Sequence, residues 1–146
     1  MEKEQKLSRP PVVQKHPFGC GVACTAFILN LSYQETLKLF GNGKEKACNF
    51  GFSCEEIAEA LNNSGGHFEH RHIKDEIKGK IYQDNTIVFI KRSKQYPTGH
   101  YLCRFKGLWM DPWINFPQNQ NIKEAKAGFR IKLPDKAIYA ILQKEY

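Results

Sequence analysis

Cys20 is the residue of this sequence whose surroundings best suit covalent chemistry. It follows a short loop that contains Pro17 and Gly19, and it begins a small and apolar run over 21–29 whose spacing predicts a helix. The positive end of a helix dipole favours the thiolate, which is the nucleophilic form of cysteine. Free backbone N–H groups at the helix start can hold a developing oxyanion, and the side chain of Gln14, upstream on the loop, can add another N–H. The pattern therefore predicts a cysteine nucleophile beside an oxyanion hole.

A cysteine nucleophile needs a base, and His100 is the histidine in the most suggestive setting. It opens an apolar, strand-like run, and a second run ends at Asp111 after a turn at Lys106 and Gly107. Such a hairpin would bring His100 and Asp111 onto neighbouring strands, where the carboxylate can orient the imidazole. Asp is also common at the start of a turn, so Asn115 stays open as an alternative orienting residue.

The remaining elements follow from capping and periodicity. Ser32 with Glu35 and Ser53 with Glu56 form capping boxes, each at the start of a predicted helix. The predicted helices are 20–30, 33–40 and 54–61, with a loop over 42–52, a short helical or irregular piece over 77–81 and a polar loop over 115–121. The predicted strands are 67–73, 86–91, 100–105, 108–110 and 137–142. Because helices come first and strands follow, the sequence predicts an α+β fold with N-terminal helices packed on a mostly antiparallel sheet.

Length and composition indicate one globular domain. The chain has 146 residues, of which 41% are hydrophobic and 25% charged, as in ordinary globular proteins. We predict a flexible N-terminal arm over 1–13, because its charged start leads into Arg9-Pro10-Pro11, and a single domain over 14–146.

The cysteines and the N-terminus bear on localisation. Five cysteines without scaffold-like spacing indicate reduced thiols in a reducing compartment. No apolar run approaches the roughly 20 residues that span a bilayer, and the N-terminus lacks the apolar middle of a secretory signal. We expect a cytoplasmic protein without a membrane span, with export as an effector by a route that needs no classical signal peptide as the alternative.

The net charge of +7 is spread along the chain. With no dense basic run and no recognisable nucleic-acid module, it indicates a solvated basic surface and no nucleic-acid partner. The sequence makes no prediction about the oligomeric state.

Several of these residues together resemble a known family. Gln14, Cys20 with Gly21, Ala23 with Cys24, Gly99 with His100, and Asp111 with Pro112 are similar in type and order to the papain-like double-glycine peptidases, which trim bacteriocin leader peptides in bacteria. The resemblance runs from Gln14 to about Trp113, although Gly19 stands where the family often has an acidic residue. It implies a papain-like fold, a peptide or protein substrate and no cofactor. It also implies Cys20 as nucleophile, His100 as base, Asp111 as orienting residue and Gln14 in the oxyanion hole.

Other activities fit the same residues. Josephin-type ubiquitin peptidases are similar in placing a Gln shortly before a Cys that opens a helix, which keeps a deubiquitinase-like activity open. An acyl-enzyme can also be captured by an amine, as in an acyltransferase, and a deamidase can use the same triad. A non-catalytic peptide-docking domain is the alternative outside the enzymes.

The remaining cysteines and histidines are weaker candidates. Cys24 is expected in the core, because a C-x3-C pair lacks redox spacing. Cys54 lies near a predicted helix start and is a rival nucleophile, but no comparable Gln precedes it. His67, His70 and His72 lack further ligands at finger-like spacing, so we predict no metal site.

Overall fold

The computed structural model describes residues 9–144. Its helices are α1 (Cys20–Leu29), α2 (Tyr33–Leu37), α3 (Gly43–Asn49) and α4 (Cys54–Asn63). Its strands are β1 (Phe68–His72), β2 (Ile87–Ile90), β3 (His100–Phe105), β4 (Leu108–Asp111), β5 (Gly128–Arg130) and β6 (Ala137–Gln143). The strands form one antiparallel sheet in the order β1-β6-β2-β3-β4-β5, with 3-10 turns at Lys80–Tyr82 and Ile122–Glu124. This confirms the predicted α+β class.

The sheet has an apolar core on each face, because successive side chains of a strand point to opposite sides. Ile87 of β2 packs in the cluster that includes α1 and α4, whereas its neighbour Val88 packs in a second cluster on the other face. The first cluster includes Val22, Phe27, Ile57, Leu61, Tyr101, Phe105 and Met110. The second includes Ile77, Ile81, Ile90, Tyr96, Leu102 and Trp109. The first core fixes α1, and with it Cys20, against the sheet.

Both predicted capping boxes are present. Ser32 Oγ accepts from Glu35 N at 3.0 Å and Ser53 Oγ accepts from Glu56 N at 3.1 Å, and each Glu carboxylate accepts from the capping residue's N–H in return. Helix α2 ends at Leu37, earlier than predicted. Helix α1 ends as predicted near Asn30, whose φ of 58° is left-handed.

The prediction of a loop over 42–52 is wrong, because it contains α3. Its residues after Gly43 are mostly good helix formers, and Ala47 is fully buried in the core. Gly, Asn and Lys in this segment indicated a loop, but tertiary packing of Ala47 outweighs that signal. The carbonyl of Ala47 accepts from Phe18 N at 2.8 Å, so α3 also holds the loop that precedes Cys20.

Strand β5 was not predicted. It has three residues and begins with glycine, so it carries no detectable alternation. It pairs with β4, where Asp111 faces Gly128 and Trp109 faces Arg130.

Residues 1–8 of the predicted arm over 1–13 lie outside the described residues. Within its described part, Arg9 Nη1 donates to Phe27 O at 2.8 Å, and the guanidinium lies over the Phe27 and Phe105 rings. Val12 packs against the helix-side core. Across residues 9–144, no helix combines the length and apolar character needed to cross a bilayer.

Candidate active site

Cys20 is the first residue of α1, and the start of this helix lacks a capping side chain within the described residues. Gly19 is the N-cap, and no side chain within the described residues caps it. A Cβ on Gly19 would overlap the hydroxyl of Tyr33 and lie 3.1 Å from its Cζ. Tyr33 Oη is itself fixed by His16 Nδ1 at 2.9 Å. Because no capping side chain competes, the first-turn N–H groups of α1 are available to an anion beside Cys20.

His100 and Asp111 lie at one end of the sheet and on one face. His100 begins β3 and Asp111 ends β4, and these strands are antiparallel neighbours. Arg104 of β3 faces Trp109 of β4. Side chains two apart along a strand lie on the same face of the sheet, so His100, four residues before Arg104, shares a face with Asp111, two residues after Trp109. The register therefore brings the imidazole to the carboxylate, and His100 Nε2 lies 2.7 Å from Asp111 Oδ1.

The Asp111 carboxylate is fully buried and makes three hydrogen bonds. Oδ1 accepts from His100 Nε2 and from Trp113 N at 2.9 Å. Oδ2 accepts from Arg130 Nε at 2.6 Å. A buried carboxylate is stable only when it is paired in this way.

The electrostatics of the site favour a charged His100. Burial lowers the pKa of His100, but the charge and hydrogen bond of Asp111 and a hydrogen bond with Cys20 together raise that pKa well above its ordinary value. Burial raises the pKa of Asp111, yet His100 and Arg130 bring it below its usual range. Since Nε2 is bonded to Asp111, Nδ1 is the ring nitrogen left for Cys20. The three side chains predicted from the sequence are thus brought together in the order Cys20, His100, Asp111.

Gln14 is buried beside these residues, with 1% of its surface exposed. Its backbone N–H donates to Pro112 O at 3.2 Å, which ties its loop to the segment after Asp111. Its Nε2 donates to His16 O at 3.0 Å and to Pro17 O at 3.1 Å, and Oε1 has no hydrogen-bond partner among the described residues. Gln14 therefore braces the loop that leads to Cys20.

A cleft of about 750 Å³ opens over Cys20 and His100. Its walls are largely aromatic: Phe50, Phe89, Tyr96, Trp113, Phe116 and Tyr139 line it. Tyr96 stacks on the His100 ring, with centroids 5.4 Å apart and planes 15° from parallel. The cleft can hold a chain several residues long, and half-buried Cys20 is one of the residues that line it.

Comparison with known proteins bears on the fold. No protein-family model matches the sequence, and no curated protein matches it. Among solved structures, the chain is similar to the peptidase domain of Streptococcus ComA, a bi-functional ABC transporter involved in a quorum sensing pathway. The TM-score is 0.54 at 20% identity, over 92% of this chain and 97% of that domain. The chain has a papain-like peptidase fold. The predicted resemblance is thus confirmed at the level of the fold, which is as far as this identity carries.

The alternative candidates occupy other settings within this papain-like fold. Asn115 bonds to Glu124 O and Lys126 N within its own loop, so it does not orient His100. Cys24 is fully buried in the core. Cys54 lines the same cleft as Cys20, but its Sγ lies 3.6 Å from Tyr101 Oη and burial raises its pKa, which disfavours a thiolate there.

The histidines 67, 70 and 72 lie on or beside β1. His70 lines the cleft and His72 packs against the ring of Tyr139. Within the part of the chain that the structure describes, no group of three or more His, Cys, Asp or Glu side chains is arranged to hold a metal ion.

Two residues of the site were missed by sequence reasoning. Arg130 comes from the unpredicted β5, and no spacing linked it to Asp111. Tyr96 lies in the loop before His100, where an aromatic residue four positions upstream gives no specific signal. Only the three-dimensional pairing of β4 with β5 and the folding of that loop onto His100 show their positions.

Proposed function

We propose that this chain is a cysteine peptidase that cleaves a peptide or isopeptide bond. The observation that carries the proposal is the placement of His100, which is hydrogen-bonded to buried Asp111 and lines the same cleft as Cys20 at the start of α1. The papain-like fold and the open cleft over these residues support it. A helix N-terminus and an imidazolium both favour the anionic sulfur that such a reaction needs.

The reaction follows from these positions. The Cys20 thiolate attacks the carbonyl carbon, and the C=O electron pair moves to oxygen, where the Cys20 backbone N–H donates to it. Gln14 is the second proposed donor, and the weaker one, because its Nε2 already donates to two loop carbonyls. As the C–N bond breaks, imidazolium His100 gives its Nδ1 proton to the leaving amine. Water then attacks the thioester and gives one proton back to His100. The C–S bond breaks, the Cys20 thiolate is restored, and the carboxylic acid product leaves and loses its remaining proton to solvent.

The roles of Asp111 and the cleft are to orient. Asp111 accepts the Nε2–H of His100, which leaves Nδ1 as the ring nitrogen that can exchange a proton with the sulfur or the substrate. The aromatic walls suit a peptide with apolar side chains near the scissile bond. No step requires a cofactor.

Alkylation tests for the activated thiolate without a known substrate. In mildly acidic solution, iodoacetamide should modify Cys20 in preference to the other four cysteines, as read by peptide mass, and His100→Ala should abolish this preference. Cys54→Ser is the matched control, because it removes another half-buried thiol of the same cleft and should leave the labelling of Cys20 unchanged. An unselective pattern in the native protein would instead indicate a docking domain.

Product mass then defines the reaction. Synthetic peptides that contain a Gly-Gly sequence, and ubiquitin with a linked peptide, would be incubated with the protein in the presence and absence of an added amine. After hydrolysis, the masses of the two fragments add up to the mass of the substrate plus one water. A fragment that carries the added amine instead identifies a transferase. Cys20→Ser should abolish either product; a product that persists in this variant contradicts the proposed nucleophile.

A further inference from the structure

We propose that Arg130 is a positioning residue of this site, which holds one oxygen of Asp111 so that the other faces His100. This inference rests on the proposed function, because the group that Arg130 orients is the proposed partner of the base. It adds a fourth member to the Cys20, His100 and Asp111 arrangement, from a strand that the sequence did not predict.

The sheet register places Arg130 on the same face as Asp111. Arg130 of β5 lies directly opposite Trp109 of β4, and Asp111 is two residues further along β4 on the same side. Arg130 and Asp111 are therefore diagonal neighbours, a separation that a long side chain spans. The structure shows this contact, with Nε 2.6 Å from Oδ2.

The guanidinium is itself fixed by a second hydrogen bond. Its Nη2 donates to Ile114 O at 3.1 Å, in the segment that follows Asp111. Two donors of one rigid planar group are thus bonded to two separate acceptors, so the guanidinium is held in place and its Nε stays directed at Oδ2. With Oδ2 fixed in this way, Oδ1 is left for His100 Nε2 and Trp113 N.

Charge gives Arg130 a second effect on Asp111. Within residues 9–144, the titratable groups that interact with Asp111 are His100 on β3, Arg130 on β5, Cys24 on α1 and Tyr96 in the loop before β3. His100 can lose its proton, whereas an arginine stays charged. Arg130 therefore keeps Asp111 ionised in acid, where a protonated Asp111 would no longer support the imidazolium. The proposed consequence is that Arg130 keeps the Asp111–His100 pair intact to lower pH.

The test compares Arg130→Met and Arg130→Lys with the native protein. The Asp111 carboxyl is titrated by carbon-13 NMR, and Cys20 alkylation by iodoacetamide is measured against pH. Loss of a cation at this distance should raise the Asp111 midpoint by about 1–3 units in the Met variant. The Lys variant should show a smaller rise, because lysine keeps the charge but cannot bond to both acceptors. At a fixed pH on the acid side of the Asp111 midpoint, the rate of Cys20 alkylation should fall roughly tenfold for each pH unit by which that midpoint rises.

Controls separate positioning from folding. Arg71→Met removes an arginine from an exposed ion pair with Glu69 on β1 and should change neither titration. In an Asp111→Asn background, Arg130→Met should have no further effect on the pH dependence of alkylation. An equal effect in that background would show a merely structural role and overturn the proposal.

The outcome is decisive even if one variant fails. An unshifted Asp111 midpoint in a folded Arg130→Met protein overturns the inference; if that variant does not fold, an unshifted midpoint in Arg130→Lys does so. If the native protein cleaves no peptide, the proposed function fails, but the Asp111 titration still tests Arg130, because that measurement needs no turnover.

Discussion

Replacing Gly99 by alanine should destabilise the fold at the point where His100 enters the sheet. Gly99 has a φ of +74°, and a Cβ there would overlap the Phe89 ring and lie 2.9 Å from Ile90 O. A left-handed alanine costs about 1–2 kcal/mol. Forcing the ring aside costs about 1–3 kcal/mol more, because packed interiors resist added atoms. The total, about 2–5 kcal/mol, is a large part of the roughly 5–15 kcal/mol by which such domains are stable.

Gly107 provides the matched control for the Gly99 substitution. Its φ is +81°, in the turn between β3 and β4, and a Cβ there would meet no atom within 4 Å. Gly107→Ala should therefore cost only the backbone term, about 1–2 kcal/mol. Urea unfolding of both variants, at one pH and with comparable slopes, measures the difference.

The Phe89 ring identifies the source of that difference. In the Gly99→Ala protein, Phe89→Leu should recover part of the lost stability, because it removes the ring atoms that the new methyl group overlaps. Selective alkylation of Cys20 should be reduced in Gly99→Ala and preserved in Gly107→Ala, since only Gly99 adjoins His100. Equal destabilisation by the two alanines, with no recovery on Phe89→Leu, would refute the steric argument.

Three further predictions concern the same site. Asp111→Asn should cost most stability between about pH 4 and 6.5. The lowered pKa of Asp111 contributes stability that is lost as pH falls, and the raised pKa of His100 contributes stability that is lost as pH rises. A stability cost that stays constant in unfolding experiments across this pH range would contradict the prediction. Gly19→Ala should destabilise the protein by about 1–3 kcal/mol, because the new Cβ overlaps the Tyr33 hydroxyl. Adding Tyr33→Phe should restore part of the stability to urea, and no restoration would show that the clash lies elsewhere. Tyr96→Phe should retain the stack on His100 and the alkylation rate, whereas Tyr96→Leu should lower that rate; equal rates would show that the stack does not position the ring.

The sequence predicted the parts of the fold that local rules determine. The capping boxes at Ser32 and Ser53 and the hairpin turn at Lys106 and Gly107 depend on a few adjacent residues, and each lies where it was predicted. Helix α3 was missed because Gly and Asn at its start are typical of loops, while the burial of Ala47 depends on contacts distant in sequence.

The site divides along the same line. Pairing His100 with Asp111 needed only a hairpin of correct register, because the two residues lie eleven positions apart around one turn. The position of Cys20 at the start of a helix could also be predicted, since a helix start depends on adjacent residues. The roles of these residues stay predictions until the alkylation and product experiments are done.

What local rules could not supply is the support of the carboxylate. Asp111 is fully buried, and a buried charge must find partners wherever the chain can provide them. Here one partner comes from β5, nineteen residues further along, in a strand too short to show a period. A carboxylate at the buried end of a strand needs a partner besides a histidine that can lose its proton, and the sequence analysis did not predict one. The identity of that partner depended on the pairing of β4 with β5, and this is why Arg130, rather than the three residues recognised first, is the most informative position to mutate.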